Sequence, residues 1–327
     1  MPLVSVIMTA FNEEKFIGNA VESLMNQTFE DFELLLFDDG STDGTCRIVE
    51  QFEDPRIKLH SSTNQGQTTC LAQGVEMAEA PLIARLDADD MAMPHRLDTQ
   101  VAFLERNPSC AMVGSQAVVL DESGSEMCVC PVPATEEEIR ETISSRCCFL
   151  HSTVMFRREA VMEVGNYRPL FRYAQDYDLW LRLAERYPLA NIGEPLVYRR
   201  LKVESPSVSR LHVQERYAYW GRRFAAQRKE SGQDDLMLGR TEEFNRDMLN
   251  VDSLRGIRRR RQLAENYFSW AQYCLWQGAA KAYRHYVRLS LCAWPFQGST
   301  WSHIITAGRG RVARAARRML TARQNCI

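Results

Sequence analysis

The chain has 327 residues, long enough for two domains or for one large domain with an extension. Its composition, 45% hydrophobic and 25% charged, is ordinary for a globular protein that buries a core. No apolar run approaches the roughly 18 residues of a membrane-spanning helix, and the first residues lack the pattern of a secretory signal peptide. The ten cysteines include no Cys-x-x-Cys pair, which argues against a zinc site and favours reduced thiols in a cytosolic protein.

The charge of the chain is unevenly distributed. The net charge is −2, but residues 253–327 contain 14 Lys and Arg and a single acidic residue, Glu265, a net of +13. The preceding residues therefore carry a net of −15. This asymmetry predicts an acidic globular body followed by a basic tail, and such tails commonly meet phosphate-rich surfaces.

The first 120 residues alternate strand patterns with helix patterns. Apolar runs typical of buried strands lie at 4–8, 32–37, 57–59, 82–86 and 110–120. Helical patterns lie between them at 16–25, 45–52 and 69–78. Strands separated by helices predict an α/β fold with a mostly parallel sheet covered on both faces. Ligands of such sheets bind at the carboxyl ends of the strands, so the polar residues there are candidates for function.

After residue 120 the regular alternation of strand and helix patterns ends. Residues 121–150 form a connecting segment with a short acidic helix after Thr135. The elements that follow are a strand near 153–156, a helix ending at Gly165 and a helix with an apolar stripe at 179–184. Beyond about residue 209 only helical patterns are found, and a last one at 312–320 sets apolar residues against arginines.

Two acidic segments follow the first two predicted strands, Thr9-Ala-Phe-Asn-Glu13 and Asp38-Asp-Gly-Ser-Thr-Asp43. In the second, a glycine and a capping Ser or Thr would open the next helix and leave a carboxylate at the edge of the sheet. Asp39 could then accept a hydrogen bond from a nucleotide base or from ribose hydroxyls. Helix capping alone is the competing interpretation for Asp39, and it is the stronger interpretation for Asp43.

A third acidic segment, Asp87-Ala-Asp-Asp90, follows the apolar run at 82–86. Three carboxylates in four residues repel one another unless a cation neutralises them. Because alternate residues of an extended segment point the same way, Asp87 and Asp89 can face one ligand. Their hard oxygen atoms suit Mg²⁺ or Mn²⁺, which also bind substrate phosphates. The alternative is a solvated acidic loop.

A fourth segment, Gln175-Asp-Tyr-Asp178, precedes the helix at 179–184. The carboxylate of Asp176 at the start of a helix is stabilised as the anion, which suits a general base. Without the other segments, helix capping would be the preferred interpretation.

In their order along the chain, these segments resemble the motifs of family 2 glycosyltransferases, which have the GT-A fold of nucleotide-diphospho-sugar transferases. The resemblance extends over roughly residues 3–210. Its motifs are Val4-Ser-Val-Ile-Met-Thr-Ala-Phe-Asn-Glu13, Asp38-Asp-Gly-Ser-Thr-Asp-Gly-Thr45, Asn64-Gln-Gly66, Leu86-Asp-Ala-Asp-Asp90 and Gln175-Asp-Tyr-Asp-Leu-Trp-Leu-Arg182. The strongest segments resemble bacterial enzymes that build surface polysaccharides.

The resemblance implies a Rossmann-like mixed sheet flanked by helices, with a helical C-terminal extension. The catalytic domain would occupy residues 1–209, with a donor-binding half at 1–120 and a half for the acceptor and the base at 121–209. The basic helical region would occupy 210–327.

The resemblance also implies roles for individual residues. The nucleotide pocket would be lined by Thr9, Ala10, Phe11 and Glu13, with Asp39 holding the base, typically uracil or thymine. The Asp-x-Asp motif, which engages ribose and diphosphate, would be Asp87, Ala88 and Asp89, and both of its carboxylates would bind Mn²⁺ or Mg²⁺. Asp176 would be the catalytic base. His151 and Trp180 would lie on the acceptor side, although both also suit a buried core.

The reaction implied is an inverting transfer from a nucleotide-sugar donor, UDP- or dTDP-linked, to a hydroxyl of a saccharide or lipid-linked acceptor in the synthesis of cell-surface polysaccharide or glycolipid. The enzyme would be cytoplasmic. It would lie on the inner face of the cell membrane if the basic tail docks on anionic lipid. A helical cap or a partner-binding helix pair is the alternative for the tail.

The sequence departs from the family pattern at two positions. Gln175 stands where the family commonly has Glu, and Leu201 stands where many members have a His ligand for the metal. Arg199 or Arg200 could supply compensating charge, or both could be solvated.

These departures keep open the alternative of a catalytically impaired scaffold that binds nucleotide sugars. A nucleotidyltransferase or a dinucleotide oxidoreductase would need a glycine-rich phosphate loop where Thr9–Glu13 stands. Nucleic acid is not an expected partner, because the acidic body would repel it.

Overall fold

The computed structural model describes residues 1–202, 210–252, 257–276 and 280–294. The strands are β1 (Val4–Ala10), β2 (Phe32–Asp38), β3 (Ile57–Ser61), β4 (Leu82–Arg85), β5 (Met91–Ala92), β6 (Met112–Leu120), β7 (Glu126–Cys130), β8 (Met155–Arg157) and β9 (Leu189–Arg200). The helices are α1 (Ile17–Met25), α2 (Thr45–Val49), α3 (Gln67–Met77), α4 (Arg96–Arg106), α5 (Glu136–Ile143), α6 (Arg158–Glu163), α7 (Gln175–Ala184), α8 (Leu211–Ser231), α9 (Glu242–Asp252), α10 (Ile257–Trp276) and α11 (Ala280–Ala293), with a 3₁₀ helix at His151–Thr153.

The strands and helices predicted within residues 1–200 are present, with ends that differ by a few residues. The short acidic helix α5 begins at a capping box, in which Thr135 and Glu138 satisfy each other's backbone N–H groups. The structure adds α4, β5, β7 and β9, which the patterns do not predict. β9 escapes notice because Gly193 and Pro195 interrupt its alternation of apolar and polar residues. The helix predicted at 312–320 lies outside the described residues.

The nine strands form one mixed sheet in the order β3-β2-β1-β4-β8-β6-β9-β5, with β7 paired to β6. Strands β3, β2, β1 and β4 run parallel. The pairs β4–β8, β8–β6 and β9–β5 are antiparallel. The expected α/β mixed sheet is confirmed, and the expectation of a mostly parallel sheet holds only for its first half. Strand β8 runs against β4, and β6, antiparallel to β8, runs in the direction of β4 again, an alternation that the apolar runs alone do not reveal.

Helices cover both faces of the parallel half. Alternate residues of each strand enter two separate cores: Ile7, Leu35 and Ile83 pack with α3, α6 and α7, while Val6, Leu34 and Ala84 pack with α1 and α4. Every residue of β1 and β2 is therefore buried, which explains why apolar residues occupy both faces of these strands. Helix α3 approaches β1 closely at Gly74, where a Cβ atom would come within 2.9 Å of Ile7 Cγ2.

The chain divides into two compact units. The first comprises residues 1–118, 130–200 and 217–240, and contains the carboxylates and aromatic residues singled out above. The second comprises residues 119–129, 201–216 and 241–327. Within the second unit, α10 buries Ala264, Phe268 and Ala271, and Ser290 of α11 donates a hydrogen bond to the Ala264 carbonyl at 2.8 Å. Among the described residues, no helix is both long and apolar enough to cross a membrane.

Candidate active site

The loop after β1 is tied to the loop after β2. Asn12 Oδ1 accepts a hydrogen bond from the Thr42 N–H at 2.8 Å, and the Asn12 N–H donates to Ser41 Oγ at 2.9 Å. Asn12 has a φ of 57°, in the left-handed region that asparagine tolerates better than most residues. The Glu13 N–H donates to Thr45 Oγ1 at 2.8 Å, at the start of α2. The two loops therefore form one rigid edge at the carboxyl ends of the parallel strands.

The residues predicted to line a nucleotide pocket differ in exposure along this edge. Thr9 and Ala10 are buried, whereas the Phe11 side chain is 47% exposed. Thr9 Oγ1 receives hydrogen bonds from Arg85 at 3.1 Å and from Gln67 at 3.3 Å. An open aromatic ring beside a fixed hydroxyl is an arrangement that can contact the ring and the sugar of a nucleotide.

Asp39 is held in place by the loop that begins α3. Its Oδ1 accepts from the Gln65 N–H at 2.7 Å and its Oδ2 from the Gly66 N–H at 2.9 Å. Gly66 has a φ of 93°, a conformation that glycine adopts without strain. Since a carboxylate has about four acceptor positions, Asp39 keeps capacity for a further donor such as the N–H of a base. Asp39 thus fixes the loop that begins α3, and its contact with a nucleotide base stays a prediction.

Asp43 holds the first turn of α2, although the N-cap residue of that helix is Gly44. Its Oδ1 accepts from both the N–H and the hydroxyl of Thr45, at 3.0 and 2.5 Å, and its Oδ2 accepts from the Glu14 N–H at 3.2 Å. Partial burial opposes ionisation of Asp43, but the bonds from Thr45 and Glu14 prevail and lower its pKa. Asp43 thus secures the start of α2.

The acidic segment after β4 is built into the sheet. Asp87 and Asp89 are partly exposed on either side of the buried Ala88, as expected for alternate residues of an extended segment. Asp87 Oδ1 pairs with Arg85 Nη2 at 2.5 Å, and the Asp87 N–H donates to Ser152 Oγ at 2.9 Å. These contacts exclude the alternative of a solvated acidic loop.

The third carboxylate of the segment is an anchor. Asp90 is buried, and its Oδ1 accepts from the Arg200 N–H at 2.7 Å. Burial, together with the charges of Asp89 and Asp87, raises the pKa of Asp90 well above its usual range. Asp90 therefore joins the segment between β4 and β5 to the end of β9.

Two arginines at the end of β9 face this acidic segment. Arg200 is buried, its Nε donates to the Asp89 carbonyl at 3.3 Å, and its guanidinium lies 4.6 Å from the centre of the Phe16 ring. Arg199 is partly buried; burial alone would lower its pKa, but Asp90, Cys130 and then Asp87 raise it overall. Neither arginine is a solvated surface residue. Leu201, at the position where many relatives carry a histidine, is buried, and its N–H donates to the Leu120 carbonyl at 2.9 Å.

Asp176 lies in the first turn of α7, after Ala174 at a φ of 50°. Burial raises the pKa of Asp176 to about 6; the hydrogen bond from the Tyr177 N–H opposes this rise, and the charge of Asp87 adds to it. The influence of Asp87 places the two carboxylates in one electrostatic environment. A carboxylate with such a pKa is ionised at neutral pH and remains basic enough to accept a proton.

Gln175 connects the start of α7 to the end of β1. Its Nε2 donates to Gln67 Oε1 at 3.3 Å, and Gln67 Nε2 in turn donates to Thr9 Oγ1 at 3.3 Å. The neutral amide at 175, where the family commonly has Glu, therefore takes part in a bridge of side chains between the predicted donor pocket and the helix of Asp176.

The two predicted acceptor-side residues occupy different depths. His151 is partly buried, and its Nε2 lies 2.9 Å from Tyr167 Oη. Burial and the charge of Arg85 lower the pKa of His151 to about 3, so the ring is neutral. Trp180 is completely buried, with ring centres 6.0 Å from His151 and 6.1 Å from Phe156. Trp180 therefore packs in the core, and no face of its indole is open to a sugar.

The fold thus brings the segment of Asp87 and the start of α7 together, beside Arg199 and Arg200, which the sequence analysis considered, and beside polar residues that it did not single out. Arg85 is the most prominent of these, and Gln67 is a further polar contact. In the sequence, Arg85 could have been recognised as a charged residue within an otherwise apolar strand pattern. Among the described residues, no group of three or more His, Cys, Asp or Glu side chains is placed to hold a metal ion.

Comparison with known proteins identifies the family. The profile described as "Glycosyl transferase family 2" matches residues 5–165. EpsE of Bacillus subtilis is 37% identical over 190 residues, which are 56% of this chain and 67% of EpsE. The chain belongs to glycosyl transferase family 2. This glycosyltransferase is also 29% identical over 237 residues, 70% of its length, to the O-antigen biosynthesis glycosyltransferase WbnJ of Escherichia coli, covering 91% of WbnJ.

Solved structures share the fold at low sequence identity. TarS of S. aureus, residues 1–349 in complex with UDP-GlcNAc, matches with a TM-score of 0.54 and 18% identity, over 88% of this chain and 90% of that 1–349 chain. The mannosyltransferase PcManGT from Pyrobaculum calidifontis, in complex with GDP-Man and Mn²⁺, matches with a TM-score of 0.53 and 16% identity, over 98% of this chain and 83% of that one. The GT-A fold implied by the sequence motifs is confirmed.

Proposed function

We propose that this glycosyltransferase moves a sugar from a nucleoside-diphosphate sugar to an acceptor hydroxyl with inversion at the anomeric carbon. The observation that carries the proposal is a chain of hydrogen bonds that links Asp87, through Arg85, Thr9 and Gln67, to Gln175, the neighbour of Asp176. Asp87 follows the central strand β4, and Asp176 lies at the start of α7, in the second half of the chain. A transferase needs both at one place, because the donor diphosphate and the acceptor hydroxyl react at the same carbon atom.

The donor would lie along the carboxyl ends of β1, β2 and β4. Asp39, fixed by the Gln65 and Gly66 N–H groups, would accept the ring N–H of the base, with Thr9, Ala10, Phe11 and Glu13 around the nucleoside. Asp87, Ala88 and Asp89 would receive the ribose and the diphosphate. The motif resemblance favours uracil or thymine as the base, and TarS, which shares the fold, is seen with UDP-GlcNAc.

The donor set after β4 fits a divalent cation that is shared with substrate. Asp87 and Asp89 offer hard, partly exposed oxygen atoms, which suit a cation that takes its other ligands from diphosphate and water. Mn²⁺ or Mg²⁺ held there would neutralise charge on the leaving diphosphate. Arg199, whose pKa is raised by the same carboxylates, would add positive charge beside it.

Asp176 would act as the general base. Its carboxylate takes the proton of the acceptor hydroxyl as that oxygen forms a bond to the anomeric carbon. The bond from that carbon to the diphosphate oxygen breaks, and its electron pair leaves with the nucleoside diphosphate from the opposite face. General-base assistance of this kind contributes about 10²–10⁴-fold in rate. His151, neutral and held by Tyr167, is positioned to contact the acceptor.

The biological setting is inferred from relatives. WbnJ is named for O-antigen biosynthesis, which supports a saccharide or lipid-linked acceptor in cell-surface polysaccharide or glycolipid synthesis. We assign catalysis to residues 1–209 and a basic helical region to 210–327, acting in the cytoplasm with the basic region docked on anionic lipid at the inner face of the membrane. Sedimentation with anionic vesicles but not with neutral ones would support the docking; equal sedimentation with both would refute it.

A donor panel tests the proposed reaction. Purified protein is titrated with UDP-, dTDP- and GDP-sugars, with and without Mn²⁺ or Mg²⁺, and binding and hydrolysis of each donor are measured. We expect one donor class to bind in a metal-dependent manner, with affinity falling at least tenfold in Asp89→Ala. Asp98→Ala, which removes an exposed carboxylate from the first turn of α4, is the matched control and should bind as the wild type does. Metal-independent binding, or no response to any donor, would contradict the proposal and favour a non-catalytic scaffold.

A further inference from the structure

Arg85 is an unusual residue for its position. It lies on β4, opposite Ile7 of β1, in a strand that is otherwise apolar, and only 1% of it is exposed. Arginine is almost never fully buried unless it is paired, because removing its charge from water is costly. The cost of burying Arg85 is offset by hydrogen bonds that a leucine or valine at this position could not make.

The guanidinium of Arg85 joins the ends of two parallel strands. Its Nη2 donates to Asp87 Oδ1 at 2.5 Å and to Thr9 Oγ1 at 3.1 Å. Its Nη1 donates to the Ile7 carbonyl at 3.2 Å and to the Leu86 carbonyl. One rigid, planar group thus contacts β1, β4 and a carboxylate of the Asp-x-Asp motif. A lysine ammonium in that place would be a point charge without the same fork of donors.

The backbone around Arg85 and Asp87 is held by hydrogen bonds from α4 and to the 3₁₀ helix. A second fully buried cation, Arg96, donates to the Arg85 carbonyl at 2.7 Å and to the Val154 carbonyl at 3.3 Å, and its Nε donates to Gln100 at 3.0 Å. The Asp87 N–H is held by Ser152 at 2.9 Å. Both the backbone and one carboxylate oxygen of Asp87 are therefore constrained, while 31% of its side chain remains exposed.

We propose that Arg85 is a positioning residue for the donor: it sets the orientation of the Asp87 carboxylate toward the diphosphate, whereas Thr9, beside the nucleoside, has a second hydrogen bond from Gln67. This inference rests on the proposed function, since it assumes that Asp87 meets a metal-bound diphosphate. It assigns no contact between Arg85 and substrate, because Arg85 is buried. The base-binding end of the pocket, at Asp39, makes no hydrogen bond to Arg85. Loss of Arg85 should therefore weaken binding of the diphosphate and spare binding of the nucleoside.

Calorimetric titration of the full chain with Mn²⁺·UDP and, separately, with uridine tests this selectivity. Arg85→Lys should weaken Mn²⁺·UDP binding at least tenfold and change uridine binding less than twofold. Arg182→Lys is the matched control, because Arg182 is also a buried arginine paired with an aspartate, at 2.9 Å from Asp178. It should leave the ratio of the two affinities as in the wild type. An unchanged ratio in Arg85→Lys, or an equal loss for both ligands, would overturn the inference.

The outcomes separate this inference from the proposed function. If the wild type binds Mn²⁺·UDP and Asp89→Ala loses it while Arg85→Lys does not, the function stands and the role of Arg85 falls. If the wild type shows no metal-dependent affinity for UDP, dTDP or GDP, both fall together; if it prefers dTDP or GDP, the same comparison is made with that nucleotide and its nucleoside.

A second pair of variants tests the Arg85–Asp87 contact even if Arg85→Lys does not fold. Asp87→Asn leaves the buried guanidinium of Arg85 without its anion, whereas Asp89→Asn does not. The thermal midpoint of Asp87→Asn should fall by several degrees more than that of Asp89→Asn. Equal midpoints would show that Arg85 does not hold Asp87.

Discussion

Two carboxylates that lie two residues apart at the start of α7 occupy opposite surroundings. Around Asp176, burial raises the pKa to about 6, and the nearby charge of Asp87 adds to the effect. Asp178 is more deeply buried, yet Arg182 and Arg168 outweigh the cost of burial and lower its pKa. The comparison teaches that burial alone does not decide the charge of a carboxylate; the partners that the fold supplies decide it.

The second of these regions is a buried charge cluster, defined here by Arg168, Asp178, Arg182, Arg228 and Asp234. Arg168 Nη1 lies 2.7 Å from Asp234 Oδ2, and Arg228 also pairs with Asp234. The cluster attaches α7 to the C-terminal part of α8 and to the segment that follows it. With Glu185, which pairs with Arg228 at 2.7 Å, its three arginines face three carboxylates, so the cluster fixes the helix. Asp176 on the same helix is left with a poorly compensated charge that suits a base.

The largest expected effect is on kcat and comes from replacing Asp176, whose charge is poorly compensated. Asp176→Asn should lower kcat by about 10²–10⁴-fold, because the acceptor hydroxyl loses its base, while donor affinity changes less than threefold. The free energy of unfolding at pH 7.5 should rise by about 1–3 kcal/mol, since the cost of burying the anion disappears and each tenfold change in an ionisation constant is worth about 1.4 kcal/mol. Steady-state kinetics and urea unfolding measure the two quantities.

Asp98→Asn is the control for this variant, because Asp98 is also in the first turn of a helix but is exposed. Asp98→Asn should change neither kcat nor the free energy of unfolding appreciably. Transfer activity near the wild-type level in Asp176→Asn would show that another group is the base.

In the buried charge cluster, removing a carboxylate should lower the stability of the protein, whereas removing Asp176 should raise it. Asp178→Asn should lower the free energy of unfolding at pH 7.5 by about 3–5 kcal/mol, because Arg168 and Arg182 lose a buried anion. The pKa of Asp178 is lowered by folding, so its contribution is present at neutral pH and is lost as the pH falls below its ordinary value of 3.8. Urea unfolding at pH 7.5 measures the change, and a stability equal to that of Asp98→Asn would contradict the matched-cluster interpretation.

The smallest expected effect is a pH dependence. A base whose pKa is about 6 must lose its proton to act, so kcat/KM should fall about tenfold for each pH unit below 6 and level off above it. For stability the sign is reversed: the raised pKa of Asp176 favours the folded state at low pH, and this contribution is lost as the pH rises from about 4 to 6. Rate profiles between pH 4.5 and 8 check the first statement. An acidic limb centred near pH 4 would mean that the acceptor site does not desolvate Asp176.

Several features of the site follow from the sequence with little help from the fold. Asp39, Asp87 and Asp89 stand directly after buried strands, and the carboxyl ends of parallel strands meet at one edge of a sheet. Asp43 could be assigned to the start of α2 because its partner Thr45 is two residues away. These predictions succeed because the interactions involved are local or are fixed by strand direction.

The sequence by itself thus determined the order of strands and helices in the parallel half, the placing of its carboxylates at one edge and the family to which the chain belongs. Only the tertiary structure decided which carboxylates are matched by cations and which aromatic side chains are covered. Asp90 and the Arg200 N–H are 110 residues apart in sequence, and Gln175 and Gln67 are 108 apart. Trp180 became a core residue because Phe149, Phe156 and His151 surround it. Periodicity records which side of a strand or helix is buried, but a pKa depends on charges within a few ångströms, and those neighbours come from distant parts of the chain.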